Sequence, residues 1–294
     1  MITPFTSTGA VDIGAFKRLV EYQINSGIDG LVPCGTTGES STLSHDEHDR
    51  VIALTVQYAD GRVPVIAGTG SNSTAEAIQL SQHAEQSGVD AVLVVNPYYV
   101  KPTQKGLYYH FKAIAEAVSI PCIPYNIKSR SGVNLENETL FKLMNEHDNI
   151  VGVKEASGSL EQMKDMIEMR HERFYLLCGD DNMTVDLIEA GGNGVVSVAA
   201  NLVPEKMKEM VHSALEGNLK RARELENQLM PLFKATFIET NPIPIKTAMA
   251  MKGWCLESFR LPMCSISSEE NYAAIQEALA GLDLPDATEK GQKE

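Results

Sequence analysis

The chain has 294 residues, and its 25 Lys and Arg against 39 Asp and Glu give a formal net charge of −14. Such an acidic chain is a poor partner for nucleic acid and for an anionic membrane surface, and no apolar run approaches the length of a membrane span. Its five cysteines, an odd number without paired spacing, argue against a disulfide framework. These features predict a globular cytoplasmic protein.

Short β-rich segments alternate with amphipathic segments along most of the chain. This alternation predicts parallel strands joined by right-handed crossovers, and eight repeats are the number that closes a (β/α)8 barrel. We expect the barrel over residues 1–215 and additional helices, packed on it, over residues 216–294. A doubly wound open sheet is the alternative, but no Gly-x-Gly-x-x-Gly turn follows any strand. The predicted strands are Ile2–Phe5, Ile28–Cys34, Val63–Ala67, Ala91–Asn96, Pro121–Asn126, Ile150–Lys154, Phe174–Cys178 and Gly194–Val198.

Capping signals mark the ends of the predicted helices. Ser44 and Ser73 each precede a glutamate by three residues, which is the pattern of a capping box. Gly27 and Gly88 stand after helical segments, where a glycine C-cap is expected. The amphipathic segments include Ile13–Asn25, Ser73–Ser87 and Gln104–Val118 and, after the barrel, Asn218–Ala235, Pro242–Met251 and Ser267–Ala280.

Lys154 ends the apolar run Ile150–Val153, which is typical of a strand buried on both faces. Burial disfavours the ammonium form of a lysine, and a free amine in a dry pocket is what a Schiff-base enzyme uses to attack a carbonyl. The alternative is a structural lysine whose stem packs while its ammonium reaches solvent. Taken alone, Lys154 fits that alternative better.

Polar and glycine residues follow six of the predicted strands. The carboxyl ends of barrel strands converge on one rim, where active sites lie. Each cluster alone is weak evidence, because these residues are ordinary turn formers, but six of them on one rim predict a site and favour a catalytic Lys154. The clusters are Gly35–Glu39, Gly68–Gly70, Asn96–Tyr99, Tyr125–Asn126, Lys154–Glu155 and Gly179–Asp181.

Five motifs occur in order along the chain: Gly35-Thr36-Thr37-Gly38-Glu39, Asn96-Pro97-Tyr98-Tyr99, Tyr125-Asn126 with Arg130, Gly152-Val153-Lys154-Glu155, and Asn241-Pro242-Ile243-Pro244-Ile245-Lys246. With them the chain, from Thr3 to about Ala280, resembles the dihydrodipicolinate synthase family of the pyruvate-dependent N-acetylneuraminate lyase superfamily. The resemblance implies that Lys154 forms an imine with pyruvate, whose enamine attacks L-aspartate 4-semialdehyde to give 4-hydroxy-tetrahydrodipicolinate for lysine and diaminopimelate synthesis. It implies no cofactor and no metal.

The resemblance also implies a role for each site residue. Tyr125 is the proton relay nearest the imine, Thr36 is its link, and Tyr99 reaches across a dimer interface into the partner's active site. Thr36 and Thr37 lie in a turn whose N–H groups could hold the pyruvate carboxylate. Arg130 would hold the semialdehyde carboxylate with a bidentate fork. The further substrate-binding residues are Gly179 and Val196.

Each of these side chains also has a structural interpretation. Tyr125 could be a core tyrosine with a satisfied hydroxyl, and Thr36 and Thr37 could simply form a turn. Arg130 could be a solvated surface arginine. For Tyr98 we expect interface packing to be the main role.

The resemblance also predicts a second site, because L-lysine inhibits some members of the family. These carry a polar set at the dimer interface, in which Glu76 would meet the lysine ammonium and Asn72 and Tyr98 its carboxylate. The pair His45 and His48 is also spaced like half a metal site, but no second pair of ligands accompanies it. The matching residues are Ser40, His45, His48, Asn72, Glu76 and Tyr98.

The chain departs from the family pattern at two places. Lys128 stands where most relatives have proline, so we expect a more mobile loop before Arg130 and a further cation near the pocket. The sequence also starts at Met1-Ile2-Thr3-Pro4, inside what is normally the first strand. We therefore expect a gap in pairing where the barrel closes, with either a natural start further upstream or a less stable barrel.

Three other functions fit parts of the sequence. A sialic acid lyase or a keto-deoxy sugar acid aldolase would share Lys154 and Tyr125, but Thr37 and Arg130 favour the synthase. A non-catalytic barrel that senses pyruvate or lysine need not keep the proton relay. A metal-dependent class II aldolase would need His and Glu ligands at the strand ends. The family is usually a dimer of dimers, and the sequence does not decide between dimer and tetramer.

Overall fold

The chain, analysed as a computed structural model that describes residues 1–282, 284 and 287, forms a parallel sheet whose strands pair in chain order. Its strands are β1 Ile66–Gly68, β2 Ala91–Val95, β3 Cys122–Asn126, β4 Gly152–Glu155, β5 Tyr175–Cys178 and β6 Gly194–Val195. The helices are α1 Ile13–Asn25, α2 His45–Ala59, α3 Thr74–Gln86, α4 Gln104–Ala117, α5 Lys128–Ser131, α6 Asn137–Glu146, α7 Leu160–Met169, α8 Thr184–Glu189, α9 Pro204–Leu215, α10 Leu219–Ala235, α11 Ile243–Met251 and α12 Glu269–Ala280.

Strands β1 to β6 overlap six of the predicted strands, and the predicted segment Ile28–Cys34 pairs with the start of β1, whereas the prediction of a paired strand at Ile2–Phe5 was wrong. Ile28–Cys34 has one bridge, from Leu31 to Val65, and three backbone hydrogen bonds join it to the chain around β1: Leu31 to Pro64, Ile66 to Leu31 and Gly68 to Pro33. Ile2–Phe5 makes only an antiparallel bridge from Phe5 to Val11. The first segment is therefore extended backbone without a ladder.

The predicted pairing gap lies where the ring closes. Within residues 1–282, no ladder joins β6 to the segment Ile28–Cys34. The amino end of Met1 donates to the Val32 carbonyl over 2.7 Å, and Ile2 N–H donates to the Asn201 side chain over 2.8 Å. The amino terminus and the Asn201 side chain join this part of the ring, where no backbone ladder does so among the described residues.

The two faces of the sheet have different environments, because successive strand side chains point in opposite directions. On β2, Val92 and Val94 belong to the large apolar core that includes the helices, whereas Ala91 and Leu93 belong to a separate cluster inside the ring. The inner cluster lies beside one cavity of about 520 Å³, which is lined by Met1 and by residues from every predicted strand segment after the first. The sheet therefore surrounds this cavity.

Local sequence explains most helix ends. At α2, Ser44 and Glu47 form the predicted capping box. At α3, Ser73 accepts from the Glu76 N–H, but the Glu76 carboxylate binds Ser71 and His45 and not the cap backbone, so only half of the predicted box forms. The glycines predicted as C-caps, Gly27 and Gly88, both have left-handed backbone, at φ 77° and 86°.

Helices α10, α11 and α12 match the three predicted C-terminal helices. They share an apolar core with α8, α9 and the segment after β6, and this core includes Leu225, Leu229 and Ile275. No helix in the part of the chain that the structure describes is long and apolar enough to cross a membrane. Residues 283, 285–286 and 288–294, which belong to the predicted C-terminal region, lie outside the described residues.

Candidate active site

Lys154 extends into the cavity from β4. Its side chain is buried, at 9% relative exposure, so it does not reach bulk solvent as a snorkelling lysine would. Its Nζ lies 4.0 Å from the centroid of the Tyr125 ring. Among the described residues, no hydrogen bond or carboxylate salt bridge involves this amine. The amine is therefore enclosed, at the surface of the cavity, and not committed to a carboxylate.

Tyr125 is the residue of β3 that pairs with Lys154 of β4 in the parallel register. Equivalent positions on neighbouring parallel strands point to the same face, which brings both side chains into the cavity. Tyr125 is buried at 7% exposure. Its phenol supplies a proton donor and acceptor beside the amine.

The turn that contains Thr36 and Thr37 forms another part of the cavity wall. It is a 3₁₀ turn over Thr36–Gly38, entered through Cys34 at φ 55° and left through Glu39 at φ 53°. The side chain of Asn241 donates to the Thr37 hydroxyl over 2.9 Å. A turn fixed in this way holds both hydroxyls at the cavity surface.

A buried ion pair stabilises the end of the same turn. Lys246 Nζ donates to Glu39 Oε1 over 2.5 Å, and both side chains are almost fully enclosed. The Lys246 ammonium also lies 4.1 Å from the centroid of the Phe5 ring. Glu39 follows the turn directly, so this pair anchors its far end.

Arg130 lies at the mouth of the cavity on the short helix α5. Its side chain is exposed, as the surface interpretation expected, but its guanidinium donates to the Asn241 carbonyl over 3.0 Å and lines the cavity. Asn241 thus contacts both Arg130 and Thr37. Lys128, also on α5, is exposed and is not among the lining residues, so the structure does not place it as a further cation in the pocket.

Gly179 and Val196 both line the cavity, at the ends of the strands that follow β4. A Cβ at Gly179 would lie 2.5 Å from Ala156 Cβ and 3.2 Å from Lys154 Cε. Only glycine leaves room there for the lysine side chain. Asp180 lines the cavity too, and burial raises the pKa of its carboxyl while the Lys154 charge opposes the rise.

Tyr99 is not brought to Lys154 within one chain. Its side chain is 88% exposed, its backbone is left-handed at φ 71°, and it does not line the cavity. Tyr98 and Val100 beside it and Tyr109 of α4 are exposed as well, so large apolar side chains gather on this surface. Such a patch is typical of an interaction surface.

Of the residues of the second predicted site, His45 and His48 lie on α2 and Glu76 on α3, whereas Ser40 lines the cavity, Asn72 precedes α3 and Tyr98 is exposed after β2. Glu76 accepts from His45 Nε2 over 2.9 Å and from the Ser71 hydroxyl, which together lower the pKa of its carboxyl. His48 is buried and its Nε2 lies 2.8 Å from the Gly68 carbonyl, so the two histidines face different partners. In the described part of the chain, no group of three His, Cys, Asp or Glu side chains is arranged to hold a metal.

Sequence reasoning gave no role to Asn241, Glu39 and Lys246. All three belong to motifs that carried the family resemblance, but their contacts join the two ends of the chain and leave no local pattern. The motif that ends at Lys246 was the available signal, since a lysine inside an apolar helix needs a buried partner.

A family model, curated proteins and solved structures all match this chain. The model of the Dihydrodipicolinate synthetase family matches residues 1–280. The 4-hydroxy-tetrahydrodipicolinate synthase of Syntrophus aciditrophicus is 54% identical over 263 residues, which cover 90% of each chain. The crystal structure of dihydrodipicolinate synthase from Aquifex aeolicus superposes with a TM-score of 0.95 at 47% identity, over 97% of both chains. This likeness confirms the predicted (β/α)8 barrel fold with additional C-terminal helices.

Two further solved structures carry ligands. The chloride-inhibited dihydrodipicolinate synthase from Acinetobacter baumannii, complexed with pyruvate, has a TM-score of 0.93 at 42% identity and covers 96% of each chain. The enzyme from Cyanidioschyzon merolae with lysine bound has a TM-score of 0.93 at 38% identity, over 96% of this chain and 95% of that one.

Proposed function

The chain belongs to the dihydrodipicolinate synthetase family, and from that premise we propose that it condenses pyruvate with L-aspartate 4-semialdehyde to 4-hydroxy-tetrahydrodipicolinate. The observation that carries the proposal is the enclosed Lys154 amine, which has no carboxylate partner among the described residues and lies over the Tyr125 ring. An N-acetylneuraminate lyase or another sugar acid aldolase is less well supported, since the relatives at about half identity are synthases.

The Lys154 amine adds to C2 of pyruvate, and the carbinolamine loses water to give an imine. Loss of a proton from C3 forms the enamine, whose C3 bonds to the aldehyde carbon of the semialdehyde. The amino group of the semialdehyde then attacks the imine carbon and displaces Lys154. Each step moves a proton near Nζ, and the Tyr125 hydroxyl, linked through Thr36, is the group that relays it.

The other site residues bind and orient the two substrates. The N–H groups of the Thr36–Thr37 turn hold the pyruvate carboxylate, with Gly179 and Val196 at the opposite side of the cavity. Arg130, fixed by its bond to the Asn241 carbonyl, binds the semialdehyde carboxylate at the mouth. In this proposal residues 1–215 form the catalytic barrel and residues 216–294 a helical region that supports it.

Imine trapping tests this proposal. The enzyme is incubated with pyruvate, reduced with borohydride, digested, and searched by mass spectrometry for a reduced pyruvate adduct. We expect the adduct on Lys154 and not on Lys246, which is also buried, and no adduct at position 154 in Lys154→Arg. Turnover is then compared between aspartate semialdehyde and N-acetylmannosamine. Turnover of the sugar alone would disprove the substrate, and the absence of any adduct on Lys154 would disprove the mechanism.

We also propose that the protein works as a cytoplasmic homo-oligomer, a dimer or a dimer of dimers, in which the exposed Tyr98 and Tyr99 surface is an interface. Tyr99 would then reach the partner's active site and extend the proton relay. Light scattering and turnover of Tyr99→Ala test this, with Tyr175→Ala as a control that removes another exposed tyrosine. A monomeric wild type with full activity would contradict it.

L-Lysine is the proposed inhibitor, at Ser40, His45, His48, Asn72, Glu76 and Tyr98. The carboxylate of Glu76 is ionised and solvent-accessible, as an ammonium ligand requires, and a related structure has lysine bound. Isothermal titration with pyruvate present should show lysine binding that Glu76→Gln weakens. If the wild-type titration shows no heat of binding, the proposed lysine inhibition is wrong, but the proposed catalytic function is unaffected.

A further inference from the structure

The strand ends that carry Tyr125 and Lys154 also carry a second pair of side chains on the opposite face. Asn126 follows Tyr125 on β3, Glu155 follows Lys154 on β4, and the two are partners in the strand register. Because side chains alternate along a strand, these two point away from the cavity and toward the helices. Both are fully buried.

A direct hydrogen bond joins this outer pair. Asn126 Nδ2 donates to Glu155 Oε2 over 2.9 Å, and the Ser157 N–H donates to Glu155 Oε1 over 2.6 Å. On the other side, Asn96 Nδ2 donates to Asn126 Oδ1 over 2.8 Å. The bonds therefore connect the ends of three neighbouring strands in a row.

The Asn126–Glu155 pair lies where the backbone ladder between β3 and β4 ends. The last backbone bond of the β3–β4 ladder runs from the Ala156 N–H to the Asn126 carbonyl, over 2.9 Å. Immediately afterwards β3 turns into α5, with Ile127 at φ −140° and ψ 83°. The Asn126–Glu155 bond lies at the level of this last backbone bond, one residue beyond Tyr125 and Lys154.

Burying a carboxyl group costs free energy, because the group loses its hydration. Desolvation raises the pKa of Glu155, and the bonds from Asn126 and Ser157 oppose the rise. Two apolar side chains would fill the same space at lower cost, but they would not fix one direction of contact. A hydrogen bond between a carboxylate and an amide fixes both distance and angle.

We propose that Asn126 and Glu155 are positioning residues, whose hydrogen bond holds the Lys154 amine and the Tyr125 hydroxyl at the separation that proton transfer needs. This inference rests on the proposed function, because it concerns the same imine chemistry. A displacement of about 1 Å between reacting groups can lower a rate by about 100-fold. Neither side chain touches the cavity, so neither contacts substrate.

Exchange of the two functional groups separates positioning from mere stability. In Glu155→Gln an amide faces the Asn126 amide, and in Asn126→Asp two carboxylates face each other. The double variant Asn126→Asp/Glu155→Gln restores one donor and one acceptor between positions 126 and 155, and the amide oxygen introduced at position 155 can still accept from Ser157. The Asn126 donation to Asn134 Oδ1, over 2.9 Å, is lost in it as in Asn126→Asp alone. The matched control is Gln162→Ala, which removes a weaker 3.4 Å contact to the same carboxylate from α7.

We expect each single variant to lower kcat by about 10- to 100-fold, with the KM for pyruvate changed by less than about threefold. The double variant should recover kcat to within about fivefold of wild type, and Gln162→Ala should retain it. Borohydride trapping with pyruvate should slow in the single variants in parallel with kcat.

Reduced thermal stability with unchanged kcat below the melting point would overturn the proposal, because the pair would then be structural only. If a single variant does not fold, the double variant decides: kcat near wild type supports positioning, and a loss as large as about 100-fold overturns it. Failure of the proposed function itself would differ, since wild-type enzyme would then show no trapped imine on Lys154.

Discussion

Two buried lysines, Lys154 and Lys246, have similar apolar surroundings but opposite electrostatic ones. The Nζ of each lies close to the centroid of an aromatic ring, 4.0 Å from that of Tyr125 and 4.1 Å from that of Phe5. Lys246 forms a 2.5 Å ion pair with Glu39, whereas no carboxylate among the described residues pairs with Lys154. Burial lowers the pKa of Lys246, and Glu39 opposes that effect.

The difference shows that burial alone does not identify a nucleophile. An ammonium that is hydrogen-bonded to a buried carboxylate is held in place and cannot approach a substrate carbonyl. An enclosed amine without such a partner, facing a cavity, is free to react. We therefore expect Lys246 to serve the structure around the Thr36–Thr37 turn and Lys154 to serve the proposed chemistry.

The strongest test of this comparison is Lys154→Ala. Without the imine-forming amine, we expect turnover to fall by roughly 1,000-fold or more, because the covalent route is lost. The melting temperature should change little, since Lys154 forms no salt bridge with a carboxylate among the described residues and its charge only partly opposes the raised pKa of Asp180. Steady-state kinetics and thermal unfolding measure both. A variant that keeps its turnover would contradict the assignment, and Lys154→Arg, which keeps the charge, should be equally inactive.

Lys246→Met should show the reverse behaviour. It leaves the Glu39 carboxylate buried without its cation, at a cost of about 3–5 kcal/mol of unfolding free energy. Lys154 should still be trapped by pyruvate and borohydride in the fraction that folds. Urea unfolding measures the loss, and the double variant Glu39→Leu/Lys246→Met should recover most of it. A single variant as stable as wild type would show that the pair is not what anchors the turn.

Tyr125→Phe makes the ring below Lys154 the same as the ring below Lys246. The aromatic contact remains, but the hydroxyl that relays protons is lost, so we expect kcat to fall by about 100-fold with little change in melting temperature. Tyr108→Phe is the matched control, because it removes a hydroxyl that binds Glu146 at the surface. Equal kcat in both variants would leave Tyr125 with a packing role only.

The sequence predicted that Lys154 and Tyr125 meet at one rim because its signals are local, and the family resemblance supplied the role of Tyr125. Each residue lies one position before the end of a buried strand, and consecutive parallel strands place such ends side by side. The contacts around Lys246 were not predictable in this way. Glu39 lies 207 residues before it, and Asn241 lies 204 residues after its partner Thr37.

The errors in the fold also have physical reasons. Ile2–Phe5 has the apolar composition of a strand but forms no ladder, and the ring closes there through the Met1 amino group and the Asn201 side chain. At α3, the predicted capping box lost its glutamate to His45, which is 31 residues away in sequence. At both places, contacts with residues distant in sequence determined the local structure.

The smallest expected effect concerns the ion pair between Arg260 and Glu47. Arg260 contacts the same Phe5 ring as Lys246. Arg260 lies 4.4 Å from the centroid of the Phe5 ring and binds both oxygens of Glu47, which lowers the pKa of that carboxyl to about 2 from 4.5. A folded-state pKa below the unfolded value means that the pair stabilises the fold fully above pH 4.5. This contribution is lost as the pH falls from 4.5 toward 2.

We therefore expect Glu47→Gln to be less stable than wild type by about 1 kcal/mol at pH 7, a value kept small because the pair is partly solvated. The difference should shrink to nothing as the pH approaches 2, where wild-type Glu47 is also neutral. Urea unfolding of both proteins across this range measures it. Glu21→Gln, which breaks a similar but more exposed pair with Arg62, is the control and should show a smaller difference. A difference that stays constant with pH would mean that Glu47 contributes through its shape and helix capping, and that charge pairing around Phe5 is confined to Lys246 and Glu39.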